Sequence, residues 1–196
     1  MVEVMTMCGR YQLNPGDSNE IMEIIRQVQD RVKTGEIFPT NSVPVLMKAG
    51  QELIPRPMVW GYPRFKGKSG NIINARSETA VDRPMFRKSL YERRCVIPTT
   101  GFFEWGPDGA GGKVKYRFNL PGEDRALYLA GLWNDFAGEA RCVILTTEAN
   151  SSMASIHNRM PVVLGRGELM RWAEDTNMAM DKLSETPPEL EHKIVT

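Results

Sequence analysis

The stretch CVIPTTGFFEWGPDGAGGKVKYRFN, residues 95–119, decides the fold class. Cys95–Pro98, Gly101–Trp105 and Lys115–Asn119 are short runs of β-branched and aromatic residues. Between the last two lies Pro107-Asp108-Gly109-Ala110-Gly111-Gly112, a run dominated by residues suited to tight turns. The pattern is a β-hairpin with a flexible connection. Outward from it the same texture repeats in Val43–Met47, Leu53–Trp60, Leu127–Trp133, Arg141–Thr147 and Pro161–Leu164, with Pro, Gly and Asp clusters between them. Three segments break the pattern. Ser18–Lys33 carries Ile21, Ile24, Ile25, Val28 and Val32 at helical spacing, behind an Asp17/Glu20 capping pattern and the Asn14-Pro15-Gly16 turn. Pro84–Tyr91 and Gly167–Met180 read as further helices, and Glu185–His192, with Pro187-Pro188, reads as irregular. The expectation is one α+β domain dominated by antiparallel, barrel-like sheet with a few flanking helices.

Bulk properties narrow the function classes. The 196 residues are 41% apolar and 25% charged, as in an ordinary globular chain. No apolar run approaches the ~20 residues a membrane span needs. The N-terminus lacks the basic start and long apolar stretch of a secretory signal. Cys8, Cys95 and Cys142 are far apart, and His157 and His192 are the only histidines, so neither a structural zinc site nor a disulfide framework is expected. A cytoplasmic location is expected, with no membrane, metal or cofactor. Residues 167–196 carry seven acidic and three basic side chains, a net −4, which leaves +5 for the rest and a modest basic surface able to hold a polyanion.

Four segments place polar groups where packing alone would not ask for them: Met7-Cys8-Gly9-Arg10-Tyr11, the Asn74–Thr79 run NARSET, the Gly101–Trp105 run GFFEW and the His157–Val162 run HNRMPV. Together with Phe38-Pro39-Thr40, Trp60-Gly61, Arg94–Pro98 and Thr146–Asn150, in this order, they resemble the SOS response-associated peptidase (SRAP) family over nearly the whole chain. The resemblance implies a covalent sensor and shield of abasic sites in single-stranded DNA, in which a mature N-terminal cysteine forms a thiazolidine with the aldehyde of the opened deoxyribose. It implies Cys8 as nucleophile, Asn74, Glu104 and His157 as supporting catalytic groups, Arg76 and Trp105 near the DNA backbone and lesion, and Trp60 as a stacking candidate. It also brings lyase and self-processing peptidase activities and nucleoid association on damaged DNA into view. A monomer is expected.

The chemistry has its own logic. An aldehyde condenses with an amine to an imine, which a neighbouring thiol closes to a five-membered ring. Only an N-terminal cysteine carries both nucleophiles, with reference pKa values of about 8 and about 8.5. Glu104, set among Phe102, Phe103 and Trp105, suits general acid–base work, since burial among them raises a carboxyl pKa. Strand alternation puts Glu104 and Trp105 on opposite faces, so for both to reach one site the strand must end or bend. Arg10, Arg76 and Arg159 lie inside the motifs and would neutralise phosphates. Arg64, Lys66, Lys68, Lys113, Lys115 and Arg117 are outlying candidates. Arg159 also reads as a member of a structural ion pair, and Glu78 and Thr79 as turn caps.

Family members begin Met-Cys, whereas six residues, Met1–Thr6, precede Met7 here. Residues 1–7 thus read as a leader ahead of a single domain, 8–196. Three explanations stand: the true start is Met7, Cys8 cleaves its own leader, or the chain does not crosslink. Two other functions remain open. One is a cysteine-dependent peptidase using Cys8, His157 and Asn74. The other is a non-catalytic single-stranded nucleic-acid binder using Trp60, Trp105 and the arginines.

Overall fold

The structure is a computed structural model that describes residues 9–64 and 69–195. Along the chain, β1 (Arg10–Leu13) is followed by α1 (Asn19–Arg26), β2 (Gly35–Ile37), β3 (Ser42–Ala49), β4 (Glu52–Trp60) and the short β5 (Tyr62–Pro63). Next come β6 (Asn71–Ile72), β7 (Asn74–Arg76), α2 (Ser77–Ala80), α3 (Pro84–Glu92), β8 (Arg94–Thr99), β9 (Gly101–Pro107) and β10 (Lys113–Asn119). The chain ends with β11 (Leu127–Phe136), β12 (Glu139–Glu148), β13 (Arg159–Pro161), β14 (Val163–Leu164), α4 (Leu169–Glu174), α5 (Thr176–Lys182) and β15 (Glu191–Val195).

The strands form a ring and a flanking sheet. In the ring, β12 pairs with β4, β4 with β3, β3 with β8, β8 with β11, and β11 returns to β12, which closes a five-stranded barrel without a free edge. The second sheet runs β15-β10-β9-β1-β2. The α+β, sheet-dominated, barrel-like expectation holds. All six residues of β8 are buried because both of its faces are covered. The Trp172 indole of α4 donates to the Cys95 carbonyl at 2.9 Å, and Arg94 Nε donates back to the Trp172 carbonyl at 2.6 Å. On β11, Gly131 is required because a Cβ there would lie 2.9 Å from Ile97 Cδ1 and 3.1 Å from Cys95 Sγ. Cys95 and Cys142 are core residues, and burial pushes the Cys142 thiol up to about 12.

Three elements differ from the sequence expectation. The first helix ends at Arg26, not Lys33, and is capped by Ser18, whose side chain accepts from the Ile21 amide; Asp17 instead pairs with Arg117. Val28 still packs inward, but the Lys33 amide donates to the Ser42 carbonyl and Ser42 Oγ to the Arg31 carbonyl, so tertiary bonds to β3 override helix propensity. The helix expected over Gly167–Met180 is two helices, because Asp175 leaves the helical conformation and its carboxylate accepts from the Asn177 and Met178 amides. The tail is irregular only to Leu190; Glu191–Val195 adds an edge strand to β10. The expected hairpin is correct, with β9 and β10 paired from Phe102↔Phe118 to Pro107↔Lys113.

Candidate functional site

β1 brings Arg10 and Tyr11 of the CGRY segment into the flanking sheet. Arg10, Tyr11 and Gln12 pair with Phe103, Phe102 and Gly101, and Gly9, just ahead of β1, is half-buried. Cys8, and Lys66 and Lys68, lie outside the described residues. Tyr11 is buried, with its ring centroid 5.1 Å from that of Trp60. Trp60 is fully buried and donates its indole N–H to the Ile73 carbonyl at 3.1 Å. The stacking expectation for Trp60 is therefore corrected: no face of it reaches solvent. It is instead a core bridge, joining β1 to the residue just before Asn74. Asn74 itself is half-buried on β7, parallel to β12 and paired with Ile144.

β9 separates two environments. Phe102 faces the core, stacked on Phe118 with centroids 5.1 Å apart. Glu104, two residues on, shares that face and is 3% exposed. Gly106 lies on the same face, and a Cβ there would sit 3.2 Å from both the Ile156 Cα and the Ile156 carbonyl oxygen. The loop carrying Ile156 and His157 thus covers the face to which Glu104 belongs, and only glycine permits so close an approach. The opposite face is cationic and aromatic. Arg10 lies 4.6 Å from the Phe38 ring and 4.9 Å from the Trp105 ring, and Lys115 lies 4.0 Å from the Phe103 ring and 5.7 Å from the Trp105 ring. Between these cations, Glu36 accepts from Lys115 at 2.7 Å and from Arg10 at 3.3 Å. Partial burial would raise the Glu36 carboxyl, but Lys115 first and Arg10 second hold it below its ordinary 4.5. The strand neither ends nor bends at Trp105, since its pairing continues to Pro107. Glu104 and Trp105 therefore remain on opposite faces.

The NARSET and HNRMPV segments meet along the second half of β12. There Thr146 pairs with Arg76 of β7 on one side and with Pro161 of β13 on the other. Arg159 Nη1 and Nη2 donate to Glu78 Oε1 and Oε2 at 2.7 and 2.8 Å, and Nη2 also donates to the Thr146 carbonyl at 2.7 Å. Thr147 Oγ1 donates to Glu78 as well. Partial burial acts to raise the Glu78 carboxyl, yet the Arg159 hydrogen bonds and charge hold it below its ordinary 4.5. Glu78 is thus the anchor of Arg159, a role that the turn-cap reading missed. Arg159 is engaged as an ion-pair member, whereas Arg76 is exposed. Both line a cleft of about 440 Å³ with Glu148, Ala149, Ala154 and Asn158. His157 is half-buried and its Nδ1 accepts from the Arg159 amide at 3.1 Å. Burial, with the charges of Lys113 and Arg159, lowers its pKa below the ordinary 6.5. The described residues hold no group of three or more His, Cys, Asp or Glu placed to bind a metal, and no helix long and apolar enough to cross a membrane.

Of the residues singled out in the sequence, the fold places Arg10 and Trp105 together on the outer face of β9, and Arg76 and Arg159 together in the cleft. Glu104 and the His157 loop share the inner face. Glu36, Phe38 and Lys115 join the outer face through register and ring contacts alone, which local sequence does not display.

Residues 7–195 match the model of the SOS response associated peptidase (SRAP) family. The Bacillus subtilis abasic site processing protein YoaM is 31% identical over 193 residues, covering 90% of this chain and 83% of that protein. The Escherichia coli abasic site processing protein YedK is 24% identical over 177 residues, covering 85% and 79%. Among solved structures, one from Bordetella bronchiseptica superposes with a TM-score of 0.77 at 23% identity, covering 96% of this chain and all of that one, which supports the fold. The chain belongs to the SRAP family.

Proposed function

We propose that this protein processes abasic sites in single-stranded DNA by attaching itself covalently through Cys8. The observation that carries the reading is the meeting of the Glu104 face with the His157 loop, in a chain whose relatives are named abasic site processing proteins. The lesion opens to an aldehyde at C1′. The Cys8 amine adds to that carbon and water leaves, giving an imine. The thiol then adds to the same carbon, its proton passes to the nitrogen, and a thiazolidine results, with one water released overall. Glu104 is a general acid–base group held among aromatic side chains, suited to protonating the sugar ring oxygen and returning the proton during closure. Asn74 orients the amine by hydrogen bonding. His157, held neutral near pH 7, donates to an oxygen of the opened sugar.

Arg76 and the Arg10/Lys115 face supply backbone neutralisation, and Trp105 offers a ring for stacking. No base-reading motif is present, so selectivity rests on the absent base: nothing must be unstacked to reach the sugar. The amine of Cys8 must be free for this chemistry. In a chain that carries Met1–Met7, attack of the Cys8 thiol on the Met7 carbonyl, followed by hydrolysis of the thioester, would free it.

The test compares proteins that begin at Met1 and at Cys8, each mixed with an oligonucleotide bearing one abasic site. A denaturing gel and intact mass are expected to show attachment only where the Cys8 amine is free, with a leader-mass loss preceding attachment of the longer form. Equal attachment by Cys8→Ala overturns the reading.

A further inference from the structure

We propose that Glu78 is a positioning residue whose two-point ion pair with Arg159 holds His157 as its Nε2–H tautomer. A neutral imidazole has one nitrogen that accepts and one that donates. A backbone amide can only donate, so the Arg159 N–H directed at Nδ1 requires that nitrogen to be bare. The single ring proton then resides on Nε2, and that is the proton His157 can give.

The tautomer is only as secure as the peptide that selects it. The Asn158–Arg159 peptide is anchored at both ends: its carbonyl accepts from the Ala149 amide at 3.1 Å, and its N–H donates to the ring. The third anchor is the Arg159 side chain, forked onto Glu78 of α2 and tied to the Thr146 carbonyl of β12. Its side chain is 14% exposed, so the guanidinium has little room for another pose. Glu78 also offsets the Arg159 charge beside the imidazole. Lys113 from the start of β10 also acts on the imidazole, the loop covers the face that carries Glu104, and Arg76 and Glu148 line the neighbouring cleft with Arg159. Without the Glu78 carboxylate, the fork loses its partner, Arg159 seeks another acceptor, and the amide is released from a single direction.

The tautomer is a property of the chain alone; its bearing on rate rests on the function proposed above. The experiment uses the full chain labelled with 15N at histidine, where His192 serves as an internal reference. Long-range nitrogen–proton correlation spectra of the wild type are expected to show His157 with bare Nδ1 and protonated Nε2. In Glu78→Gln the two nitrogen signals move toward each other as tautomers mix, and attachment to an abasic-site oligonucleotide slows by about tenfold. If Glu78→Gln does not fold, Arg159→Lys, which keeps the cation and loses the fork, is read by the same criterion. A wild-type ring protonated on Nδ1, a folded variant whose ring stays purely Nε2–H, or mixed tautomers with a wild-type rate each overturn the proposal. Failure of the wild type to attach at all is a failure of the covalent reading instead, and the spectra alone then decide the role of Glu78.

Discussion

The inner face of β9 carries Phe102 and Glu104 in a dry setting, whereas the outer face carries Phe103 and Trp105 beneath Lys115 and Arg10. The two faces are built from one strand by alternation alone, yet their physics differs. On the inner face a carboxyl is almost wholly buried on the face that carries the Phe102–Phe118 stack and the close Gly106–Ile156 contact, and the proposed function uses it for chemistry. On the outer face the charges are solvated and partly offset by Glu36, so their effect is on long-range attraction and is sensitive to salt. On the function proposed above, one strand separates catalysis from capture.

Substitutions should break that division in graded steps. Glu104→Gln is expected to slow attachment by about 10²–10⁴-fold while leaving DNA affinity intact, read by single-turnover gels at saturating oligonucleotide. A parallel loss of affinity would mean the two faces are not separate. Phe102→Ala removes a buried ring and should cost about 3–5 kcal/mol in urea unfolding. Trp105→Ala should leave stability within about 1 kcal/mol and instead weaken single-strand binding by about 1–3 kcal/mol, the worth of one stacked base. Glu36→Gln frees Arg10 and Lys115, so affinity is expected to rise about threefold at low salt and to converge with the wild type at high salt. The smallest effect concerns pH. His157 has a lowered pKa in the folded protein, so the unfolded chain binds more protons between the folded value and 6.5, and stability rises with pH across that window. The contribution is complete above 6.5 and is lost as pH falls through the folded value. His157→Gln should flatten this part of the melting-temperature profile, and an unchanged profile would place the pH dependence elsewhere.

The barrel strands were legible because β-branched and aromatic runs announce themselves, and turn residues mark their ends. The N-terminal strand, Arg10–Leu13, was not, because its RYQL sequence alternates weakly and gains its conformation from β9 and β2. The first helix was read too long for a related reason: Val28 and Val32 keep the helical period, but hydrogen bonds from Arg31–Ser42 to one another take over the backbone. In the candidate site, the motifs named the segments that the fold brings together but not the partners within them. Trp60 is buried in spite of its motif, since Tyr11 and the Ile73 carbonyl claim both its ring and its N–H. Glu78 looked like a cap because its partner Arg159 lies 81 positions away, a distance that no local pattern encodes.

The central place of β12 has a consequence for how the molecule is made. It pairs with β4, β7, β11 and β13, so Asn74 on β7 gains its neighbour only after Glu139–Glu148 has been synthesised, and β13 must follow before Glu78 meets Arg159. β1 waits as well, for β2 alone offers it a two-stranded ribbon of marginal stability until β9 emerges. A nascent chain released from the ribosome ahead of Arg159 would own β9 and Glu104 but no cleft, and on the function proposed above it would lack the arrangement that meets the lesion.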